Sequence, residues 1–105
     1  MIINEHLLVK VKTSIRINHS VLDDDISDSV MACIADLRSV GVLEEKLNVT
    51  GEVDPLILNA IKSYCKAEYT DDVAKAARYQ AGYDSMKAHL MMAEGYGYEE
   101  DDPDE

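Results

Sequence analysis

The chain has no tryptophan and no phenylalanine, and six tyrosines are its only aromatic residues. Without the largest rings, the core has to be built from Leu, Ile, Val, Ala and Met, with tyrosines at its edge. Only two prolines and five glycines interrupt 105 residues, which suits long helices better than many short strands joined by turns. There are two cysteines, Cys33 and Cys65, and neither belongs to a CxxC pair. Both fall on apolar helix faces, where they read as small buried hydrophobes in a reducing compartment. The three histidines, His6, His19 and His89, are too far apart to make a metal-ligand pair. No apolar run approaches the ~20 residues that span a bilayer, and no secretory leader is expected. The expectation is a soluble chain made in the cytoplasm.

What is present is acid, unevenly spread. The formal net charge is -11. Residues 94–105 hold seven acids and no base, so the first 93 residues carry only -4. Gly95-Tyr96-Gly97-Tyr98 does not favour helix, and the like charges that follow repel one another. The predicted organisation is one helical domain over 1–93 and a disordered acidic tail over 94–105. The opposite end is basic: residues 1–22 carry Lys10, Lys12 and Arg16 against Glu5 alone. Lys12 and Arg16 stand one helical turn apart, which would put them on one face. Three bases without interleaved aromatics do not make a nucleic-acid site.

Four helices are legible. Asn4 is a cap for a first helix to about Ile17, with Leu7, Leu8, Val11 and Ile15 on one face. The alternation of Val9, Val11, Thr13, Ile15 and Ile17 competes as a strand pattern. Adjacent Leu7 and Leu8 favour helix. Ser20 or Asp23 caps a second helix to about Val40. Its inward face is Ile26, Val30, Cys33, Ile34 and Leu37, while Asp28, Asp36 and Arg38 face out. Gly41, between Val40 and Val42, is the left-handed stop. Residues 42–53 are the one long connection, with Val49-Thr50-Gly51 as an extended piece and a turn. The third helix has the most marked start, with Asp54 as cap and Pro55 at the first helical position. It runs to about Tyr69. Leu56, Ile57, Ala60, Ile61, Tyr64 and Cys65 give it apolar cover on more than one side, as expected of a helix buried by its own domain and by a neighbouring subunit. After Thr70-Asp71-Asp72 a fourth helix runs to about Met92 on a stripe of Ala76, Tyr79, Tyr83, Met86 and Leu90. Gly82 inside it marks a close neighbour. The fold class is all-α: a small four-helix domain with one long inter-helix loop and an acidic tail.

Catalytic chemistry is not legible. Asp23-Asp24-Asp25 with Asp28 lacks the glycine and glutamate of a calcium loop, and helix capping accounts for it. No glycine-rich phosphate loop and no nucleophile elbow occurs. Catalytic residues, cofactor-binding residues and metal ligands are therefore all expected to be none. The candidate subunit or partner interface is Leu56, Ile57, Ile61 and Tyr64 of the third helix, Val49 of the loop, and Lys12 and Arg16 of the basic end.

The ordered motifs carry a resemblance. Leu7-Leu8-Val9-Lys10-Val11-Lys12 leads to Ser14-Ile15-Arg16-Ile17. Asp23-Asp24-Asp25-Ile26 and Ala32-Cys33-Ile34-Ala35-Asp36-Leu37 precede Val40-Gly41-Val42. Asp54-Pro55-Leu56-Ile57, Ala60-Ile61 and Tyr64-Cys65-Lys66-Ala67 come next, then Tyr83-Asp84-Ser85-Met86-Lys87 with Leu90. Over about residues 5–98 this order resembles the head–tail connector proteins of tailed bacteriophages and prophages, also called adaptor, head-completion or DNA-packaging proteins. The resemblance implies an α-domain assembled as a homo-oligomeric ring, twelve-fold in the virion. The ring would sit under the portal protein after DNA packaging and carry a tail-completion or stopper protein. DNA would pass through without specific binding. The chain would be found in the virion at the head–tail junction, and in the host cytoplasm before assembly. It implies no enzyme, no cofactor and no membrane partner. The tail is heavier in acid than that family suggests. Two other classes fit the composition: an acidic DNA mimic and a small helical regulatory binder.

Overall fold

The computed structural model describes residues 3–93, 95 and 96, and contains four α-helices. These are α1 (Glu5–Ser14), α2 (Asp23–Ser39), α3 (Pro55–Tyr69) and α4 (Val73–Met92), with one 3-10 turn at Glu44–Lys46. The all-α class and the order of elements are as the sequence predicts. Among the described residues no helix is long and apolar enough to cross a membrane.

Local chemistry sets most of the helix ends. Asn4 Oδ1 accepts from the amides of His6 (2.6 Å) and Leu7 (3.3 Å), which satisfies two free donors of α1. Asp54 does the same for Leu56 (2.9 Å) and Ile57 (3.4 Å) at the start of α3. Asp72 accepts from the Lys75 amide (3.1 Å) at the start of α4. Gly41 has φ +99, with its amide bonded to Arg38 O and that of Val42 to Leu37 O. This is the Schellman ending. Two ends depart from expectation. The start of α2 has Leu22 at its cap position and no side-chain cap bond, so neither Ser20 nor Asp23 caps it. Asp23, Asp24 and Asp25 lie inside the first turn, where their charge favours the helix dipole instead. And α1 stops at Ser14, three residues early, because Arg16 takes up φ +63.

Helix α3 is the centre of the fold. It packs most extensively against α4, and also against α2 and α1. The short link Thr70-Asp71-Asp72 makes α3 and α4 an antiparallel hairpin. The core gathers Leu7 and Val11 from α1; Ile26, Val30, Cys33, Ile34 and Leu37 from α2; Ile57, Ala60, Ile61 and Cys65 from α3; and Tyr83 and Leu90 from α4. The double-sided apolar cover of α3 is thus used up within its own chain for Ile57 and Ile61.

The long connection is also absorbed inward. Leu47 and Val49 are buried, and Val49 O accepts from the Asn4 amide at 2.7 Å. Asn4 Nδ2 donates to Gly51 O at 2.9 Å. Asn48 Oδ1 closes the turn by accepting from the Thr50 and Gly51 amides. The segment expected to be a contact loop between subunits is a strap over the first helix. The folded part also reaches past Ala93: Tyr96 donates its hydroxyl to Asp54 Oδ2 (2.8 Å), lies under Lys46 Nζ (4.7 Å), and accepts at its carbonyl from the Leu43 amide (2.9 Å). Glu94 and residues 97–105, the rest of the sequence-predicted acidic tail, lie outside the described residues.

Candidate partner-binding surface

The start of α3 and the end of α4 meet because the hairpin is antiparallel. Leu56 stands just after Pro55 and is 39% exposed, whereas its neighbour Ile57 is fully buried. Leu56 and Asn59 of α3 face Ser85, Met86, His89 and Leu90 of α4 across an almost wholly apolar groove of about 220 Å³. Met92, 87% exposed and three residues after His89 on the same face of α4, extends the apolar surface. Unbranched thioethers repack readily and suit a surface that has to adapt to a partner. Nothing in the chain's described residues covers this groove.

The residues expected at an interface divide into three groups. Val49, Ile57 and Ile61 are interior, which corrects their assignment to a subunit surface. The period of the sequence identified them as apolar but did not say what covers them, and the structure places all three in the chain's own core. Leu56 remains open, and Tyr64 is half-buried, its ring edge-on to Tyr83 with centroids 5.1 Å apart. Lys12 and Arg16 are not on one helical face. Lys12 is mostly covered and forms an ion pair with Asp23 at 2.7 Å, a charge contact rather than an aligned hydrogen bond. Arg16 lies beyond the helix end, exposed.

A polar cluster links α2 to α4 next to this surface, and sequence reading missed it. Tyr83 donates its hydroxyl to Asp36 Oδ2 at 2.7 Å, and Lys87 Nζ donates to the same oxygen at 3.1 Å. Asp36 was expected to face out. It instead anchors α4, and the Tyr83 hydroxyl, followed by Lys87, holds its carboxyl below the usual carboxylate range. Burial, then the carboxylate it serves, pushes the Tyr83 phenol well up. The spacing of Asp36, Tyr83 and Lys87 gives no local signal, except that Tyr83 and Lys87 stand one turn apart.

Burial also pushes the Cys33 and Cys65 thiols up to about 12. Neither carries the exposed, low-pKa thiolate of a nucleophile. Among the described residues no group of His, Cys, Asp and Glu is arranged to hold a metal ion. Gly82, expected to admit a close neighbour, has open space where a Cβ would stand.

Comparison with known proteins gives one family. The model of a family described as phage connector protein matches residues 7–97. Searches of curated proteins and of solved structures returned no match.

Proposed function

The chain belongs to the phage connector protein family, and from that premise we propose that it is a structural subunit of the head–tail junction. Copies form a ring, twelve-fold in the virion, beneath the portal protein once DNA is packaged. The ring carries a tail-completion or stopper protein and so provides the platform for the tail. Before assembly the chain resides in the host cytoplasm. The observation that carries this reading is the family match, which runs over nearly all of the folded part. The open groove of Leu56, Met86 and His89, floored by the buried Leu90 and extended by Met92, supports it. A methionine-rich apolar surface on a small domain is suited to a protein partner.

In this reading the chain makes and breaks no bonds and needs no cofactor. Its buried thiols and its surface groove serve packing. The net charge of -11 lets DNA pass a ring of such subunits without sticking, since like charges repel. The test is assembly with the portal protein, followed by sedimentation and electron microscopy. Leu56→Asp combined with Met92→Asp should leave helical content and melting nearly unchanged and abolish the ring. Normal rings from that variant, or a wild-type chain that never joins the portal, would overturn the proposal.

A further inference from the structure

The opposite end of the hairpin carries a pocket of different chemistry. Ser14 and Arg16, just past α1, face Lys66 and Tyr69 at the end of α3 and Lys75 and Tyr79 at the start of α4, around a depression of about 360 Å³. Three cations line it against one acid, Asp71, in a chain of net charge -11. The ion pairs of the described residues engage Lys12, Arg38, Lys46 and Lys87, and none engages Arg16, Lys66 or Lys75. Lys75 stands in the first turn of α4, where a cation opposes the helix dipole. Arg16 is held at φ +63, a conformation that non-glycine residues seldom adopt. Lys66 lies over the Tyr79 ring at 5.6 Å, which presents its ammonium to the pocket wall.

We propose that this basic pocket binds a carboxylate-rich peptide, and that its occupant is the acidic segment 99–105 of a neighbouring copy. The inference rests on the ring reading for its supply of neighbours. Segment 99–105 holds six acids and no base, the complement of the pocket. Its own chain's pocket is poorly placed to receive the first four of those acids. Tyr96 is pinned to Asp54 at the far end of the hairpin, and Lys66 lies 12 residues further along α3, about 18 Å away at 1.5 Å per residue. Lys75 is further still. Glu99 to Asp102 follow Tyr96 by three to six residues, a reach of at most about 10–21 Å when fully extended. Glu99 to Asp102, four of the six acids, therefore reach their own Lys66 only when stretched taut, while Asp104 and Glu105, with a reach of about 26–32 Å, are not so limited, and the isotope mixing below separates the two cases. Tethering within an assembly also raises the effective concentration of the segment, which compensates for the weakness of exposed ion pairs. Duplex DNA is the weaker candidate, since the net charge of the chain repels it before the pocket is reached.

The test mixes full-length chains at natural and 15N abundance, adds portal protein to template assembly, and couples amines to carboxylates with a zero-length carbodiimide. Mass spectrometry should find Lys66 and Lys75 joined to residues 99–105, with mixed-isotope pairs prominent, and in preference to Lys10 and Lys62. Lys66→Gln with Lys75→Gln, followed by sedimentation across a salt series, should weaken low-salt association by about tenfold, as for two exposed ion pairs. Same-isotope links alone, no preference over Lys10 and Lys62, or protection of Lys66 and Lys75 by duplex DNA would each overturn the proposal. Rings that sediment normally without these links would overturn the pocket and leave the ring reading standing. Chains that stay monomeric with portal protein present would overturn both.

Discussion

The two ends of the α3–α4 hairpin are built from the same helices and present opposite chemistry. Where α3 begins and α4 ends, Leu56, Met86 and Met92 make an apolar surface with hardly a polar atom in its groove. Where α3 ends and α4 begins, Arg16, Lys66 and Lys75 surround a polar hollow. A hairpin of 15- and 20-residue helices separates these ends by roughly 20–30 Å. At that distance their charges are screened from one another at physiological salt. One small domain can therefore hold one partner by burial and another by charge, and each contact can be tuned without the other. Salt is the variable that separates them, because it weakens exposed ion pairs and leaves apolar burial nearly unaffected.

The largest effect expected follows from that difference. Leu56→Asp with Met92→Asp should abolish portal-templated rings at every salt concentration, since no screening restores a buried apolar contact. Arg16→Gln, Lys66→Gln and Lys75→Gln together should weaken rings at low salt and converge on wild type near 1 M, where the Debye length is about 3 Å. Sedimentation of both variants across a salt series checks this. Equal salt dependence for the two variants would show that the ends do not differ in the way their surfaces indicate.

The apolar end contains a sharper internal comparison. Leu56 and Ile57 are adjacent and similar in size, yet one is open and the other fully buried. Ile57→Ala should cost about 2–5 kcal/mol, from lost burial and the cavity left in the core. Leu56→Ala should cost less than about 1 kcal/mol, as most exposed substitutions do. Urea denaturation of the two variants measures both. A similar loss at the two positions would mean that Leu56 is covered in solution by its own chain.

The Tyr83 cluster lies between the two ends and ties the middle of α4 to α2. Tyr83→Phe removes the bond to Asp36 and should cost about 1–2 kcal/mol, at the lower end because Asp36 is partly exposed and keeps Lys87. The pH dependence has a definite sign. Asp36 has a folded-state pKa below its unfolded one, so its contribution is fully present above the ordinary carboxylate range near pH 4 and is lost as pH falls through the folded value. Wild type should therefore lose stability on acidification more steeply than Tyr83→Phe, and the gap between their melting temperatures should narrow below pH 4. A gap that widens there would sink this account.

Much of the fold was legible because its signals are local. Asn4, Asp54-Pro55 and Gly41 declare helix ends through bonds that span two to five residues, and the structure uses all three as the sequence predicts. The inward face of α2 was legible from period alone. What failed was long-range. Asp36 and Tyr83 are 47 residues apart, and no spacing rule connects them. Val49, Ile57 and Ile61 read correctly as apolar and wrongly as interface, because periodicity reports that a face is covered and not which chain covers it. Arg16 was placed on a helix face by counting turns, and the left-handed residue that ends the helix there was not foreseen, since a non-glycine stop carries no composition cue. The basic pocket assembles from three separate segments. Its cations were visible one by one and their convergence was not.

Gly82 gives the smallest effect and tests whether the middle of α4 is as unencumbered as it looks. A glycine inside a helix costs about 0.5–1 kcal/mol relative to alanine through backbone entropy. Among the described residues nothing lies within 4 Å of the position a Cβ would occupy, so Gly82→Ala meets no steric cost from them. The isolated domain should gain up to about 1 kcal/mol, read as a higher denaturation midpoint with an unchanged slope. Ring formation supplies the second reading. If the partner contacts lie only at the two ends of the hairpin, the alanine variant should assemble as well as wild type. A variant that is more stable alone but defective in the ring would place a third contact at the waist of α4. The close neighbour that Gly82 suggests would then belong to another subunit rather than to the chain itself.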